Sequence, residues 1–200
     1  MSHLRHSGKS FADQCAALQT IVRAEPVLMA VLAGARDLKL ADSWLVSGGV
    51  YNSVWNALTG RPSMTGVKDI DLFYFDASDV SYEAEDAVIR RAEKLFAGLP
   101  VPVEIRNQAR VHLWYEGHFG VPYPPLGDSR EALRRFASLT HAVGLRLVDG
   151  DEIEIYAPYG LDDIFSFRLV PNRLMDNRRT HEEKARRQML VWPELTVEPW

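Results

Sequence analysis

The sequence predicts a mixed α/β domain of the α+β type, a mixed β-sheet with flanking helices and added helical segments at both ends. Three observations predict it. Helical and strand periodicities alternate over the first hundred residues, and short strands follow around a hairpin-like turn at Asp149-Gly150-Asp151. A chain of 200 residues, 46% hydrophobic and 25% charged, is long enough for one domain with a full core. Taken in order, Phe11, Cys15, Leu18, Ile21 and Val22 recur at helical spacing behind Ser10, predicting a helix over 10–23. Pro26 suits the first turn of a second helix, from Val27 to about Arg36. Trp44 to Ser47 reads as a buried strand closed by a tight turn at Gly48-Gly49, and Tyr51 to Leu58 as a helix stopped by Gly60, Arg61 and Pro62. Asp69 to Phe75 alternates polar with apolar residues, as a strand does, and a helix runs from Ser81 or Tyr82 to Ala97. Strands are predicted at Val101 to Arg106 and Ala109 to Tyr115. Pro122, Pro124, Pro125 and Gly127 mark an exposed loop, and Asp128 or Ser129 caps a helix through Phe136. Leu145 to Val148 and Glu152 to Tyr156 form the hairpin, and helices at Leu161 to Phe167 and Thr180 to Val191 close the chain. The single domain 1–200 thus divides into N-terminal helices (1–40), a sheet core (41–160) and a C-terminal helical segment (161–200).

Composition narrows the function classes. No apolar run approaches the roughly 20 residues that span a bilayer, and the first six residues carry no signal-peptide pattern. Cys15 stands alone, which fits a reducing compartment, so the expected location is cytoplasmic. A net charge of −4 supplies no global field for long nucleic acids. The stretch Arg168, Arg173, Arg178, Arg179, Lys184, Arg186 and Arg187 is locally basic, either a solvated helix face or a place to meet phosphates. The six His have no zinc spacing, and P-loop and dinucleotide-binding glycine patterns are missing.

The chemistry concentrates in two motifs. On a strand, Asp69 and Asp71 point to one face with roots roughly 6–7 Å apart, while Ile70 and Leu72 point to the other. Two adjacent carboxylates repel unless a cation lies between them, and Mg²⁺ is typically held by one or two carboxylates plus substrate phosphates. Upstream, Gly48-Gly49 joins a strand to a helix, where free amides and a helix N-terminus face an anion and no Cβ obstructs a phosphate. Ser47 and Asn52 add neutral hydrogen-bonding groups there. Each motif alone is also ordinary structure, a polar strand face and a tight turn. Together they describe a nucleotide-plus-metal site.

With these residues in view, the chain resembles the nucleotidyltransferase superfamily of the DNA polymerase β type, and more closely a bacterial group of nucleotidyltransferase family proteins. The resemblance is carried by Ser47 through Asn52, Asp69 through Asp76, Val103 through Trp114, Ala157 through Asp163, and Lys184 through Pro193. It implies a nucleotidyltransferase-like fold and an enzyme (EC 2.7.7-like) that moves an NMP from an NTP, ATP among them, to an acceptor that is a small molecule, a protein or an RNA end. It also implies Mg²⁺ (or Mn²⁺) held by Asp69 and Asp71, with a third acid from a neighbouring strand. Glu104 is the candidate for that acid, as metal ligand or activator of the attacking hydroxyl; a surface ion pair with Arg106 is the plainer alternative, and Glu152, Glu154, Asp162 and Asp163 are rivals. Ser47, Gly48, Gly49 and Asn52 would bind the triphosphate, with Arg106, Arg110 and Lys184 as candidate neutralising cations.

One departure concerns spacing. Nineteen residues, Val50 to Lys68, separate Gly49 from Asp69, more than the superfamily usually places there. The surplus around Thr59 to Gly66 is expected to loop out near the site, shaping a pocket or displacing the turn. His112 and Trp114 are expected to share one strand face, and Trp55, Trp114 and Tyr123 are aromatics able to stack on a base or to pack in the core. Two other functions compete: a non-catalytic nucleotide-binding regulator, and a glycosyltransferase that uses Asp69-Ile70-Asp71 for its metal.

Overall fold

The computed structural model describes residues 3–200. The helices begin where short polar side chains cap them. Ser10 accepts from the Asp13 amide at 3.1 Å to open α1 (Phe11–Arg23), and Pro26 occupies the first turn of α2 (Pro26–Leu38). Ser81 caps α4 (Tyr82–Phe96) through the Ala84 amide. Asp128 caps α6 (Ser129–Arg134) through the Glu131 amide. Between α2 and α4 lie β1 (Trp44–Val46), α3 (Gly48–Thr59) and β2 (Ile70–Tyr74). Gly60, with φ +69, ends α3 in the left-handed conformation that glycine tolerates.

The strands β3 (Val103–Asn107), β4 (Gly144–Leu147) and β5 (Ile153–Tyr156) complete a five-stranded sheet in the order β3-β2-β1-β4-β5. Only β2 and β3, joined through α4, run parallel; the other neighbours are antiparallel. Strand alternation then sorts the residues. Leu45, Ile70, Leu72, Ile105, Leu145 and Ile153 face the main core with α1 to α4. The opposite face carries Glu104 and Arg106 on β3, Asp71 and Phe73 on β2, and Trp44 and Val46 on β1. Part of that second face is covered: Trp44, Val46 and Leu133 form a separate small cluster with Phe73, Phe136 and Tyr156. The part holding Asp71 and Glu104 lies outside it.

Three expectations are corrected. Ala109 to Tyr115 is not a strand: Asn107 ends β3 by accepting from the Ala109 amide with its own side chain, and the chain turns into a 3₁₀ helix (Gln108–Leu113) and then α5 (Tyr115–Phe119). His112 and Trp114 therefore share no strand face. The helix predicted from Leu161 to Phe167 is a single turn, α7 (Asp162–Phe165), after which β6 (Arg168–Leu169) pairs in parallel with β7 (Thr196–Val197). Between them, α8 (Arg178–Met189) is the predicted C-terminal helix.

The surplus loop after α3 does not shape the site. It docks at the far end of α3: Thr65 O accepts from Asn56 Nδ2, Ser63 donates to Glu25, and Arg61 pairs with Glu194 at 2.9 Å. A Cβ on Gly66 would lie 2.5 Å from Trp192, at a backbone φ of +71. Gly66→Ala is therefore expected to destabilise the protein by roughly 2 kcal/mol, lowering Tm by about 5 °C in a chain of this size. A thermal melt checks this; an unchanged Tm would mean that the loop is not docked against Trp192.

Candidate active site

The turn between β1 and α3 is built under strain. Ser47 is buried and adopts φ 57 and ψ −117, a conformation that costs a non-glycine residue about 1–3 kcal/mol. It is held there because its amide donates to Val143 O at 2.9 Å and its carbonyl accepts from the Val50 and Tyr51 amides. As the first residues of α3, Gly48 and Gly49 carry amides with no acceptor four residues back in the helix. The two glycines differ in surroundings. A Cβ on Gly48 would meet nothing closer than 3.8 Å, whereas one on Gly49 would press on Ile70 at 3.3 Å. Beside Gly48, Asn52 is buried and its Oδ1 has no hydrogen-bond partner among the described residues.

Asp71 lies in register with Val46 on one side and Glu104 on the other, so the end of β1 that enters the glycine turn meets the acidic face directly. Asp69 precedes β2 by one residue and shares the Asp71 side of it. Burial pushes the Asp71 carboxyl up to about 6, and the negative charges of Asp69 and Glu104 add to the effect against the opposing pull of Lys184 and Arg106. Lys184 is itself lowered by burial, with Asp71 and Asp69 acting to hold its proton. Glu104 is exposed and lies 3.6 Å from Arg106, so the ion pair and the in-register position coexist. Among the described residues, no three His, Cys, Asp or Glu side chains gather closely enough to hold a metal by themselves.

Three of the four rival acids are engaged elsewhere. Glu154 pairs with Arg146 at 2.6 Å, Asp162 accepts from Gly8 and Gln14, and Asp163 pairs with Arg168 at 3.2 Å. Arg110 forms a buried ion pair with Glu85 and donates to Val80 O, so it is not gathered with the cations near Asp71.

The sequence reading missed the group that sets Lys184 in place. Tyr51, fully buried, is hydrogen-bonded to Ser47 and accepts from Gln188 Nε2 at 2.9 Å. His141 stacks on Tyr51 with ring centroids 4.6 Å apart, and its Nε2 lies 3.3 Å from Gln188 Oε1. Burial drives the His141 pKa well below its ordinary value, so the ring is neutral at pH 7. Gln188 follows Lys184 by four residues on α8 and therefore lies on the same helix face. The network ties the strained turn to the helix that carries the cation. Only the Lys184/Gln188 spacing on a predicted helix hinted at this, since the partners come from three distant segments.

Comparison with known proteins bears on this arrangement. Residues 33–197 match the family model described as nucleotidyltransferase. No curated protein matches the chain significantly. Among solved structures, the chain is similar to one whose NMR structure is described as revealing a CCA-adding enzyme head domain, with 30% identity and a TM-score of 0.72. The similarity covers 91% of this chain and 96% of that one. The match runs through the glycine turn, the acidic strand and α8, and the chain accordingly belongs to the nucleotidyltransferase family.

Proposed function

We propose that the protein transfers a nucleoside monophosphate from a nucleoside triphosphate to an acceptor hydroxyl, with a divalent metal ion held by Asp69 and Asp71. The observation that carries this reading is the meeting of the two motifs: Val46, which leads into the Ser47-Gly48-Gly49 turn, is paired with Asp71. The donor set fits Mg²⁺ or Mn²⁺. Asp71 feels the negative charge of Asp69 and Glu104, and two acidic ligands completed by substrate phosphates suit a small hard cation. When bound, the metal would neutralise developing charge on the phosphate oxygens.

The chain's own groups would do the remainder. The Gly48 and Gly49 amides and the α3 N-terminus receive the triphosphate, and Gly48 leaves it room. The Asn52 side-chain nitrogen, 3.8 Å from where a Cβ on Gly48 would stand, donates to the same anion. Lys184 and Arg106 offset the charge of the phosphates. The acceptor oxygen attacks the α-phosphorus, the bond from that phosphorus to the bridging oxygen of the β-phosphate breaks, and pyrophosphate leaves. Glu104, in register with Asp71, takes the acceptor's proton.

Calorimetric titration with ATP, GTP, CTP and UTP, with and without Mg²⁺, tests the reading. The expected result is metal-dependent binding that Asp69→Asn/Asp71→Asn abolishes in a protein that still folds. Equal binding by wild type and the double variant would sink the site assignment.

A further inference from the structure

Beyond Asp71, along the same sheet face, a cavity of about 210 Å³ opens. Its floor is Phe73, two residues after Asp71 on β2, and Arg106 beside it on β3. Its walls include Trp114, Tyr115 and Tyr123, and Lys184 closes the side nearest the carboxylates. This lining has two properties. It is aromatic, with Tyr115 and Tyr123 only 4.3 Å apart between ring centroids, and part of that aromatic surface is open: Trp114 is 40% exposed. Its charges are all positive, since Arg106, Arg135 and Lys184 contribute and no carboxylate does. A pocket of this kind disfavours a cationic amine and suits a flat, electron-rich ring attached to an anion.

We propose that this pocket is the nucleobase subsite of the triphosphate substrate, an inference that rests on the triphosphate lying at the glycine turn. Phe73 stands roughly 6–7 Å along the strand from Asp71, and a nucleoside running from an α-phosphate at Asp71 along β2 places its base over Phe73, against Trp114 and Tyr123. Lys184 and Arg106 border both the pocket and Asp71, so the two subsites are continuous. The segment that walls the pocket is the one that turns out of the predicted strand after Asn107. Had Ala109 to Tyr115 continued β3, Trp114 would not stand over this face.

The test separates the base from the phosphates. Wild type, Trp114→Ala, Tyr123→Ala and Asp69→Asn/Asp71→Asn are titrated calorimetrically with the four NTPs, inorganic tripolyphosphate and the four nucleosides, all in Mg²⁺. Wild type is expected to bind at least one NTP about tenfold or more tightly than tripolyphosphate. Each aromatic substitution should weaken that NTP about tenfold, as loss of base stacking does, while tripolyphosphate binding stays unchanged. Nucleoside binding should fall in Trp114→Ala and persist in the acidic double variant. Tripolyphosphate binding as tightly as every NTP, or aromatic variants that bind NTPs like wild type, would overturn the base subsite and leave the phosphate site standing. Binding of nucleosides but not of tripolyphosphate or NTPs would overturn the continuous site, and binding of none would overturn both readings. Trp114 is partly exposed, so Trp114→Ala is expected to keep the fold, which a thermal melt checks.

Discussion

Asp71→Asn is expected to make the folded protein more stable at pH 7.5, by roughly 2–3 kcal/mol, while lowering metal-dependent transfer by about a thousandfold or more. The first half follows from linkage. The Asp71 carboxyl titrates at about 6 in the folded chain against an ordinary value of 3.8. Below the ordinary value it is protonated in both states and contributes nothing. Between the two values the unfolded chain has ionised and the folded one still holds its proton, so this group's contribution to stability falls as pH rises. Above about pH 6 the full cost of a buried charge beside Asp69 and Glu104 is present. Asparagine cannot ionise, so the stability difference between variant and wild type should be small near pH 4, grow through pH 5, and level off above pH 6. Urea unfolding at a series of pH values measures it. Mg²⁺ should stabilise wild type above pH 6 and leave Asp71→Asn unaffected. A variant less stable than wild type at pH 7.5 would mean that Asp71 is a structural carboxylate rather than one kept charged at a cost for binding.

The two glycines of the turn should separate function from folding. Gly48→Val is expected to reduce kcat/KM for the triphosphate by about a hundredfold, roughly 2.7 kcal/mol of lost transition-state binding. Its stability should change little, because a Cβ there makes only ordinary contacts, with Asn52 Nδ2 and Tyr51 Oη at 3.8 Å. Gly49→Ala should do the reverse. Its Cβ would crowd Ile70 at 3.3 Å and Leu28 at 3.5 Å, costing about 1 kcal/mol of stability with triphosphate affinity preserved. Steady-state kinetics and denaturation of both variants decide the matter. If Gly48→Val turns over normally, the phosphates do not lie against this turn.

Much of this was legible in the residue order because it depends on local rules. Ser10 and Ser81 cap the helices they precede, and Ile70 and Leu72 alternate with Asp71 and Phe73 whatever surrounds them. The departures have a common origin. Ala109 and Val111 are buried at a spacing that suits a strand, yet Asn107 satisfies the Asp76 and Ala109 amides with one side-chain oxygen and breaks the ladder. That choice depends on Asp76, thirty-one residues away, and no local pattern announces it. The pair β6 and β7 was equally unreadable, since two-residue strands carry no periodicity.

By itself, then, the sequence determined the element order from α1 to β3, the placing of Asp69 two residues before Asp71 of β2, and the Ser47-Gly48-Gly49 turn, because periodicity, capping and glycine placement act over a few residues. Only the tertiary structure decided which distant groups meet the Asp71 face of the sheet: Val46 and Glu104 on either side of Asp71, Lys184 on the helix tied down through Tyr51, His141 and Gln188, and Trp114 and Tyr123 in one pocket with Phe73. Those meetings are set by long-range packing and by the need to satisfy buried polar groups, and both depend on where the whole chain goes.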